Sequence, residues 1–169
     1  MVTTLFTSQA YIQKYTPIGT LVSWDEIEPT VYLVQDNFTQ DLLGTNFYNH
    51  MQTVYGATAM NGSEAELMNR IKPFQAHKVA EQCVPMINYQ MKNKGLMTQN
   101  GDYSTSADLE TVRYVRNEMK QRAEFFAQRV LTYLCENSTD FPEYTSDNST
   151  DMKPNQSGNG YDNGGISFV

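Results

Sequence analysis

Apolar residues recur every three or four positions along several stretches of the chain, which is the pattern of amphipathic helices. In 23–44 this stripe comprises Ile27, Val31, Val34, Phe38 and Leu42. Ser23 and Glu26 have the spacing of a capping box, and Pro29 suits a first turn. We therefore expect a helix that begins between Asp25 and Pro29 and ends at Gly44. A shorter helix is expected across 45–56, with Phe47, Met51 and Val54 on one side.

The next helical pattern begins at a second capping box, formed by Ser63 and Glu66. Leu67, Met68 and Ile71 follow it as the first apolar positions, and Phe74, Val79 and Cys83 continue the stripe. Two prolines interrupt this pattern. Because proline removes an internal hydrogen bond and clashes with the preceding turn, we expect a kink or restart at Pro73 and an end at Pro85.

The pattern changes to a two-residue alternation after 86. Ile87, Tyr89 and Met91 alternate with polar neighbours, and "NKG" at 93–95 has the composition of a turn. This alternation predicts a projecting β-hairpin or extended loop, although the same residues could prolong a helix. Lys94, Gly95 and Leu96 at its tip are candidate contacts to a partner.

The longest helix is expected from about 106 to about 136. Its predicted apolar stripe comprises Leu109, Val112, Val115, Met119, Phe126, Val130 and Tyr133. The other faces mix acidic and basic residues, and Glu118 and Arg122 have the favourable i, i+4 order. A solvated face and a mixed-charge contact with a neighbouring copy are both compatible with this pattern. Pro142 is expected to end regular structure.

The last 25 residues differ in composition from the rest of the chain. Eighteen of residues 145–169 are Gly, Ser, Asn, Asp, Thr or Pro, a composition that cannot bury enough apolar surface to fold alone. We therefore divide the chain into a helical domain, 1–144, and an extended arm, 145–169. The fold class is all-α: a small bundle of about four helices with the projecting hairpin or loop and the C-terminal arm.

Charge and hydropathy exclude several classes of protein. A net charge of −7 is unsuited to gripping nucleic acid through phosphates, which requires clustered Lys and Arg. The N-terminus lacks a basic segment followed by an apolar run, and no stretch approaches the roughly 18 apolar residues of a membrane span. We expect a protein of a cytosol-like compartment with no membrane partner.

The sequence offers few groups for catalysis or metal binding. His50 and His77 are the only histidines and belong to different predicted helices. The two cysteines, Cys83 and Cys135, lie far apart, and we expect both to be small buried apolar residues. Phosphate-binding glycine loops and nucleophile elbows are absent from the sequence. We expect no enzymatic activity, no metal and no cofactor; the eleven tyrosines favour a protein of assemblies.

Four segments resemble the head-to-tail connector proteins of tailed bacteriophages, with most similarity to those of crAss-like and other Bacteroidales phages. These segments are "DLLGTNFYNHM" (41–51), "IKPFQAHKVA" (71–80), "NKGLMTQN" (93–100) and "RAEFFAQRVLTYLCENSTDFPEY" (122–144). The closing "GGISFV" also resembles the ending of that family. The resemblance covers about 7–144, and none of these motifs is catalytic.

The resemblance implies a helical adaptor that forms a ring, commonly of twelve copies, beneath the portal of the capsid. Such a ring extends the channel toward the tail, and an acidic chain suits a lumen through which DNA passes without specific binding. The implied location is the virion connector, with host cytoplasm during assembly. The alternatives are a small cytosolic binding or regulatory module encoded by a phage and, less favoured, an enzyme whose site forms between chains.

Within such a ring, the sequence indicates two contact regions besides the hairpin. A ring repeats one heterologous interface, so one face must complement a different face of the next copy. Arg113, Arg116, Arg122, Arg129 and Glu118 are our candidates for this seam. In the arm, Met152 and the clasp residues Tyr161, Ile166, Phe168 and Val169 are expected to anchor to neighbouring chains only. Its end has alternating residues that suit strand addition.

Overall fold

The computed structural model of the protein describes residues 4–92, 95–98, 109–145 and 151–154. In chain order its helices are α1 (Gln9–Tyr15), α2 (Trp24–Val34), α3 (Gln40–Leu43), α4 (Thr45–Gly56), α5 (Gly62–Asn88), α6 (Leu109–Glu136) and α7 (Pro142–Thr145). A π turn, Gln35–Thr39, joins α2 to α3 as one continuous helical segment. The mostly helical fold is confirmed, but these described residues form six helical bodies rather than about four.

Two short strands follow α5 where the sequence alternates. Strand β1 (Tyr89–Lys92) pairs antiparallel with β2 (Gly95–Thr98), with Tyr89 opposite Thr98 and Lys92 opposite Gly95. Of the candidate tip residues, Gly95 and Leu96 belong to β2, and Lys94 lies outside the described residues.

Helix α5 is the centre of the fold. Eight consecutive residues, 74–81, are buried, so this part of the helix is covered on all sides. Val79, Ala80 and Cys83 belong to an apolar cluster with α1 and α2. Leu67, Ile71 and Phe74 belong to a second cluster, which joins α4, α6 and α7. The core therefore consists of two apolar clusters, one along the first half of α5 and the other along its second half; Met119 of α6 belongs to the cluster with α1 and α2.

The two prolines of α5 do not divide it. The helix is continuous from Gly62 to Asn88, so the predicted restart at Pro73 and the predicted end at Pro85 are wrong. Pro29 likewise lies inside α2, five residues after its start. Each proline removes one hydrogen bond, but burial of apolar surface along the helix offsets that loss.

The capping boxes differ from the predicted ones. Glu64 donates its backbone N–H to Asn61 Oδ1 at 2.8 Å, and Asn61 donates its own to Glu64 Oε2 at 2.7 Å. This reciprocal pair caps α5 two residues before the predicted one, and the Ser63 hydroxyl instead donates to Asp140. Ser23 precedes α2 without a side-chain cap.

Replacing Asn61 with alanine is expected to lower the free energy of unfolding by about 1 kcal/mol, because the first turn of α5 loses its side-chain acceptor. Ser63→Ala is the matched control: it removes only an exposed hydroxyl bond and should cost roughly half as much or less. Urea unfolding of both variants measures the difference. A larger loss for Ser63→Ala would place the cap where the sequence predicted it.

The N-terminal segment and the π turn are joined by buried amide side chains. Gln35 Oε1 accepts from the Phe6 backbone N–H at 2.8 Å, and Gln35 Nε2 donates to the Thr4 carbonyl at 2.9 Å. Gln75 continues this network: its amide donates to Thr39 Oγ1 at 2.8 Å. The π turn thus places Gln35 and Thr39 inside the protein, where their partners come from three elements.

Part of the C-terminal arm is bound to its own chain. The Thr45 backbone N–H donates to the Met152 carbonyl at 2.9 Å, and Asp151 Oδ2 accepts from Thr45 Oγ1 at 2.9 Å. Gly44, whose φ of 76° ends α3, lies directly before this contact. The prediction that neighbouring chains alone order the arm is therefore wrong for Asp151 and Met152. Thr145 also belongs to α7, so Pro142 opens a short helix rather than ending regular structure.

Candidate interaction surface

The four predicted seam arginines have different environments. Arg116 Nη2 lies 3.8 Å from Glu81 Oε1 of α5, and Glu81 is buried and also pairs with Lys78 at 2.9 Å. Arg122 Nη2 lies 3.7 Å from Glu118 Oε2 of its own helix. Within the described part of the chain, Arg113 and Arg129 have no carboxylate within 4.0 Å. Arg113 and Arg129 are therefore the ones whose charge is uncompensated by an ion pair.

These arginines do not share one face of α6. Glu118, Arg122, Phe125 and Arg129 follow one another at steps of four, three and four, so they form one stripe. Arg113 lies nine residues before Arg122, which places it on the opposite side of the helix. We define the outer face of α6 as Tyr114, Glu118, Arg122, Phe125 and Arg129. Of the four candidate seam arginines, Arg122 and Arg129 therefore share this face.

The buried side of α6 differs from the predicted stripe. It comprises Val112, Met119, Ala123, Ala127, Val130, Leu131 and Leu134. Leu109, predicted to be in the core, is 51 % exposed. The small alanines on the buried side allow α6 to lie close to α5. Because the buried side is displaced from the predicted apolar stripe, Phe125 faces outward.

The outer face of α6 exposes two large aromatic rings. Tyr114 is 67 % exposed and Phe125 is 61 % exposed. The Phe125 ring lies edge-on to Phe126, with centroids 5.4 Å apart, and the Arg129 guanidinium lies 6.0 Å from its centroid. Aromatic and arginine side chains that are exposed side by side are typical of protein interfaces.

A shallow groove of about 220 Å³ adjoins this face. Its lining residues are Arg70, Phe125, Gln128, Arg129, Thr132, Tyr133 and Glu136. Arg70 stacks on the Tyr133 ring at 4.3 Å and forms an ion pair with Glu66. Hydrogen bonding from Arg70 lowers the pKa of the Glu66 carboxyl. Arg70 is thus fixed within its own chain, whereas the charge of Arg129 acts on the Glu66 carboxyl only at longer range, without an ion pair within the described structure.

His50 joins three helices rather than forming a metal site. Its Nε2 lies 2.6 Å from Glu64 Oε1 of α5, and its Nδ1 lies 3.7 Å from Glu143 Oε1 of α7. The two ring nitrogens point in different directions, so these carboxylates cannot share an ion with the ring. No group of His, Cys, Asp and Glu suited to a metal ion occurs among the described residues. The arrangement connects α4, α5 and α7.

The side chain of the other histidine, His77 of α5, packs between α5 and α6. Its side chain is buried, its ring packs on Phe126 with centroids 5.3 Å apart, and its Nδ1 has no hydrogen-bond partner within the described structure. Burial lowers the pKa of His77, and the positive charge of Arg122 lowers it further.

This environment predicts acid destabilisation. The folded state keeps His77 neutral, whereas the unfolded chain takes up a proton below its ordinary pKa of about 6.5. The free energy of unfolding is therefore expected to fall as the pH decreases from about 7 to about 5. Urea unfolding of wild type and His77→Leu across this pH range checks the prediction. The free energy of unfolding of the variant, relative to that of wild type, should increase as the pH decreases. A constant difference would contradict the prediction.

The cysteines and the long helices complete the account of chemical groups. Cys83 is buried, and burial raises the pKa of its thiol; Cys135 is exposed, so its predicted burial is wrong. None of the helices in the described segments has the length and apolarity needed to cross a bilayer. The clasp residues Tyr161, Ile166, Phe168 and Val169 lie outside the described residues.

Sequence reasoning found Arg122, Arg129 and Glu118 but missed the aromatic part of the surface. An aromatic residue in a helix is more often in the core than on the surface, so Phe125 and Tyr114 drew no attention. The step of four residues between Phe125 and Arg129 was visible in the sequence. The direction in which these two side chains point was not visible, because it depends on which side of α6 is buried.

Comparison with known proteins places the described core within one family. No curated protein and no solved structure matches the chain significantly. A family model of unknown function, DUF6712, matches residues 39–153. The match includes α4 to α7 and extends to the Asp151 and Met152 contact with Thr45, so this part of the arm lies within the matched region. Because the matched region is more than half of the chain, the protein belongs to the DUF6712 family.

Proposed function

We propose that this protein is a structural component of a tailed-phage particle. It forms a ring in the head-to-tail connector, attaches to the portal and extends the DNA channel toward the tail. The resemblance in sequence suggests this role and a ring of twelve copies. The observation that carries the proposal is the outer face of α6, where Phe125 is 61 % exposed beside Arg129. A contact between copies would cover this face.

Other features are compatible with this role. The chain is strongly acidic, so a lumen lined by such copies would repel DNA phosphates rather than hold them. The β1 to β2 hairpin is suited to reach the portal or the next ring, with Gly95 and Leu96 at the start of β2 as contact residues; Lys94 remains a candidate from the sequence. The protein acts in the virion and is made in host cytoplasm, without enzymatic activity or cofactor.

Single-particle imaging of the phage that encodes this chain tests the proposal. Antibody labelling of purified particles should mark the junction between head and tail, and symmetric reconstruction there should show this fold repeated in a closed ring. Mass spectrometry of the particles supplies an independent measure of its presence. Absence of the protein from purified particles, or its presence as a lone domain elsewhere, would overturn the proposal.

The free protein is expected to be largely monomeric. Among the described residues, the large apolar side chains that are exposed are distributed over α1, α2, α5, α6 and the segment before α2, so contacts to the portal would supply part of the free energy of assembly. Native mass spectrometry at micromolar concentration checks this. Closed rings in the absence of any partner would contradict it.

A further inference from the structure

The charges of the chain are unevenly distributed between its helices. Between Tyr15 and Asn69 there is no Lys or Arg, and seven acidic residues: Asp25, Glu26, Glu28, Asp36, Asp41, Glu64 and Glu66. Helix α6 instead carries five basic residues, Arg113, Arg116, Lys120, Arg122 and Arg129, against four acidic ones, Glu110, Glu118, Glu124 and Glu136. The stretch 15–69 is therefore acidic, although its Glu64 and Glu66 pair with His50 and Arg70, whereas α6 is slightly basic.

Four of these acidic residues lie on the helical segment of α2, which also carries an exposed leucine. We define the acidic face of α2 as Asp25, Glu26, Glu28, Leu33 and Asp36. Leu33 is 44 % exposed, and Leu21, directly before α2, is 99 % exposed. Within the described residues none of the four carboxylates forms an ion pair. This face therefore combines carboxylates that form no ion pair within the described structure with apolar surface that is exposed to solvent.

Helices α2 and α6 pack on different sides of α5. His77 and Glu81 contact α6 through Phe126 and Arg116. Val79 and Cys83, each two residues further along, belong to the cluster with α2. Residues two apart on a helix point to nearly opposite sides, because each residue turns the chain by about 100°. Met119 of α6 also belongs to this cluster, so the two helices are not diametrically opposed. The acidic face of α2 and the outer face of α6 are nevertheless two separate surfaces of the molecule.

We propose that the outer face of α6 binds the acidic face of α2 of a second copy of this chain. Arg122 and Arg129 lie opposite the carboxylates, and Phe125 and Arg129, which are adjacent and one turn apart, lie against Leu33. The contact is head-to-tail, since each copy uses two different faces, and such contacts propagate until they close into a ring. This inference deepens the proposed function and rests on it: it identifies the two surfaces that would form the ring seam.

Disulfide trapping on the full-length protein tests the contact. In a Cys135→Ser background, which removes the exposed native thiol, Leu33→Cys and Arg129→Cys are introduced singly and together. Concentrated purified protein is oxidised mildly, and the products are separated without reductant. Trapping accumulates weak complexes, because each productive encounter becomes covalent.

The double variant is expected to form a ladder of covalent multimers, and a mixture of the two single variants should form a 1:1 dimer. Each single variant alone should remain monomeric. Arg113→Cys combined with Leu33→Cys is the matched control, because Arg113 lies on the opposite side of α6, and should form no ladder. Raising the salt concentration should weaken the ladder of the double variant, since the attraction is electrostatic.

Two results would overturn the inference. Dimers of Arg129→Cys alone would mean that two outer faces meet each other, and absence of multimers from the double variant would mean that these faces do not meet. The experiment is independent of the connector role. A ladder from a protein that is absent from phage particles would reject that role and leave the contact standing. A connector ring in which Leu33 and Arg129 of adjacent copies are apart would reject only the contact.

Discussion

Replacing Gln35 with alanine is expected to lower the free energy of unfolding by about 3 kcal/mol. Its side chain is fully buried and forms four hydrogen bonds: it accepts from Phe6 N–H and Gln75 Nε2 and donates to the Thr4 carbonyl and Tyr48 Oη. Leaving a buried polar group without its only hydrogen-bond partner lowers the free energy of unfolding by roughly 1 to 3 kcal/mol. The N-terminal segment would then detach from the π turn.

Asn37→Ala provides the control for this prediction. Asn37 belongs to the same π turn but is exposed, so its replacement should change stability by less than about 0.5 kcal/mol. Urea unfolding gives both values, and hydrogen exchange of the Phe6 amide reports the detachment directly. Equal stability of the two variants would mean that the buried amides do not fix the N-terminal segment.

The buried amide network could not be predicted from sequence. Gln35 and Thr39 follow Ile27 and Val31 at steps of four, beside the apolar stripe, but their polar side chains gave no sign of burial. Gln75 and the segment at Thr4 to Phe6 supply their partners. Those partners are about 30 to 40 residues away in the chain, beyond the reach of any local pattern.

The prolines of α5 show where tertiary packing outweighs the preferences of the local sequence. The stripe of α2 at Ile27, Val31 and Val34 and the end of the segment at Gly44 are confirmed, since regular amphipathic spacing and a glycine terminus act locally. Pro73 and Pro85 were expected to interrupt α5. Packing on both sides of this helix outweighs the loss of single hydrogen bonds, and such packing depends on elements that the local sequence does not contain.

The candidate surface could be predicted only in part. Helical spacing alone separates Arg113 from Arg122 and Arg129, and that information was present in the sequence. The direction of each face was not, because Ala123 and Ala127 are weak hydrophobic signals that become buried through close approach to α5. The contrast between acidic α2 and slightly basic α6 is likewise visible in sequence, but the packing of these helices on different faces of α5 requires the fold.

Reversing the charge of both Arg122 and Arg129 to glutamate is expected to remove the protein from finished particles, if it forms the proposed ring. Both side chains are exposed, so the free energy of unfolding should change by less than about 0.5 kcal/mol for each. The effect on assembly should be larger, because every copy takes part in two seams. Each loss of about 1.4 kcal/mol at one seam lowers its association constant about tenfold, and closing a ring multiplies these losses.

Two further variants decide which face the arginines meet. Arg113→Glu with Lys120→Glu changes the net charge by the same amount on the other side of α6, so it should assemble at wild-type levels; equal failure would indicate overall charge rather than the outer face. Adding Asp25→Arg and Glu26→Arg to the Arg122 and Arg129 reversals restores opposite charges across a head-to-tail seam, because each copy then carries both reversed faces. We therefore expect occupancy in particles, measured by mass spectrometry, to recover in this fourfold variant, and continued absence would show that the arginines meet some surface other than the acidic face of α2.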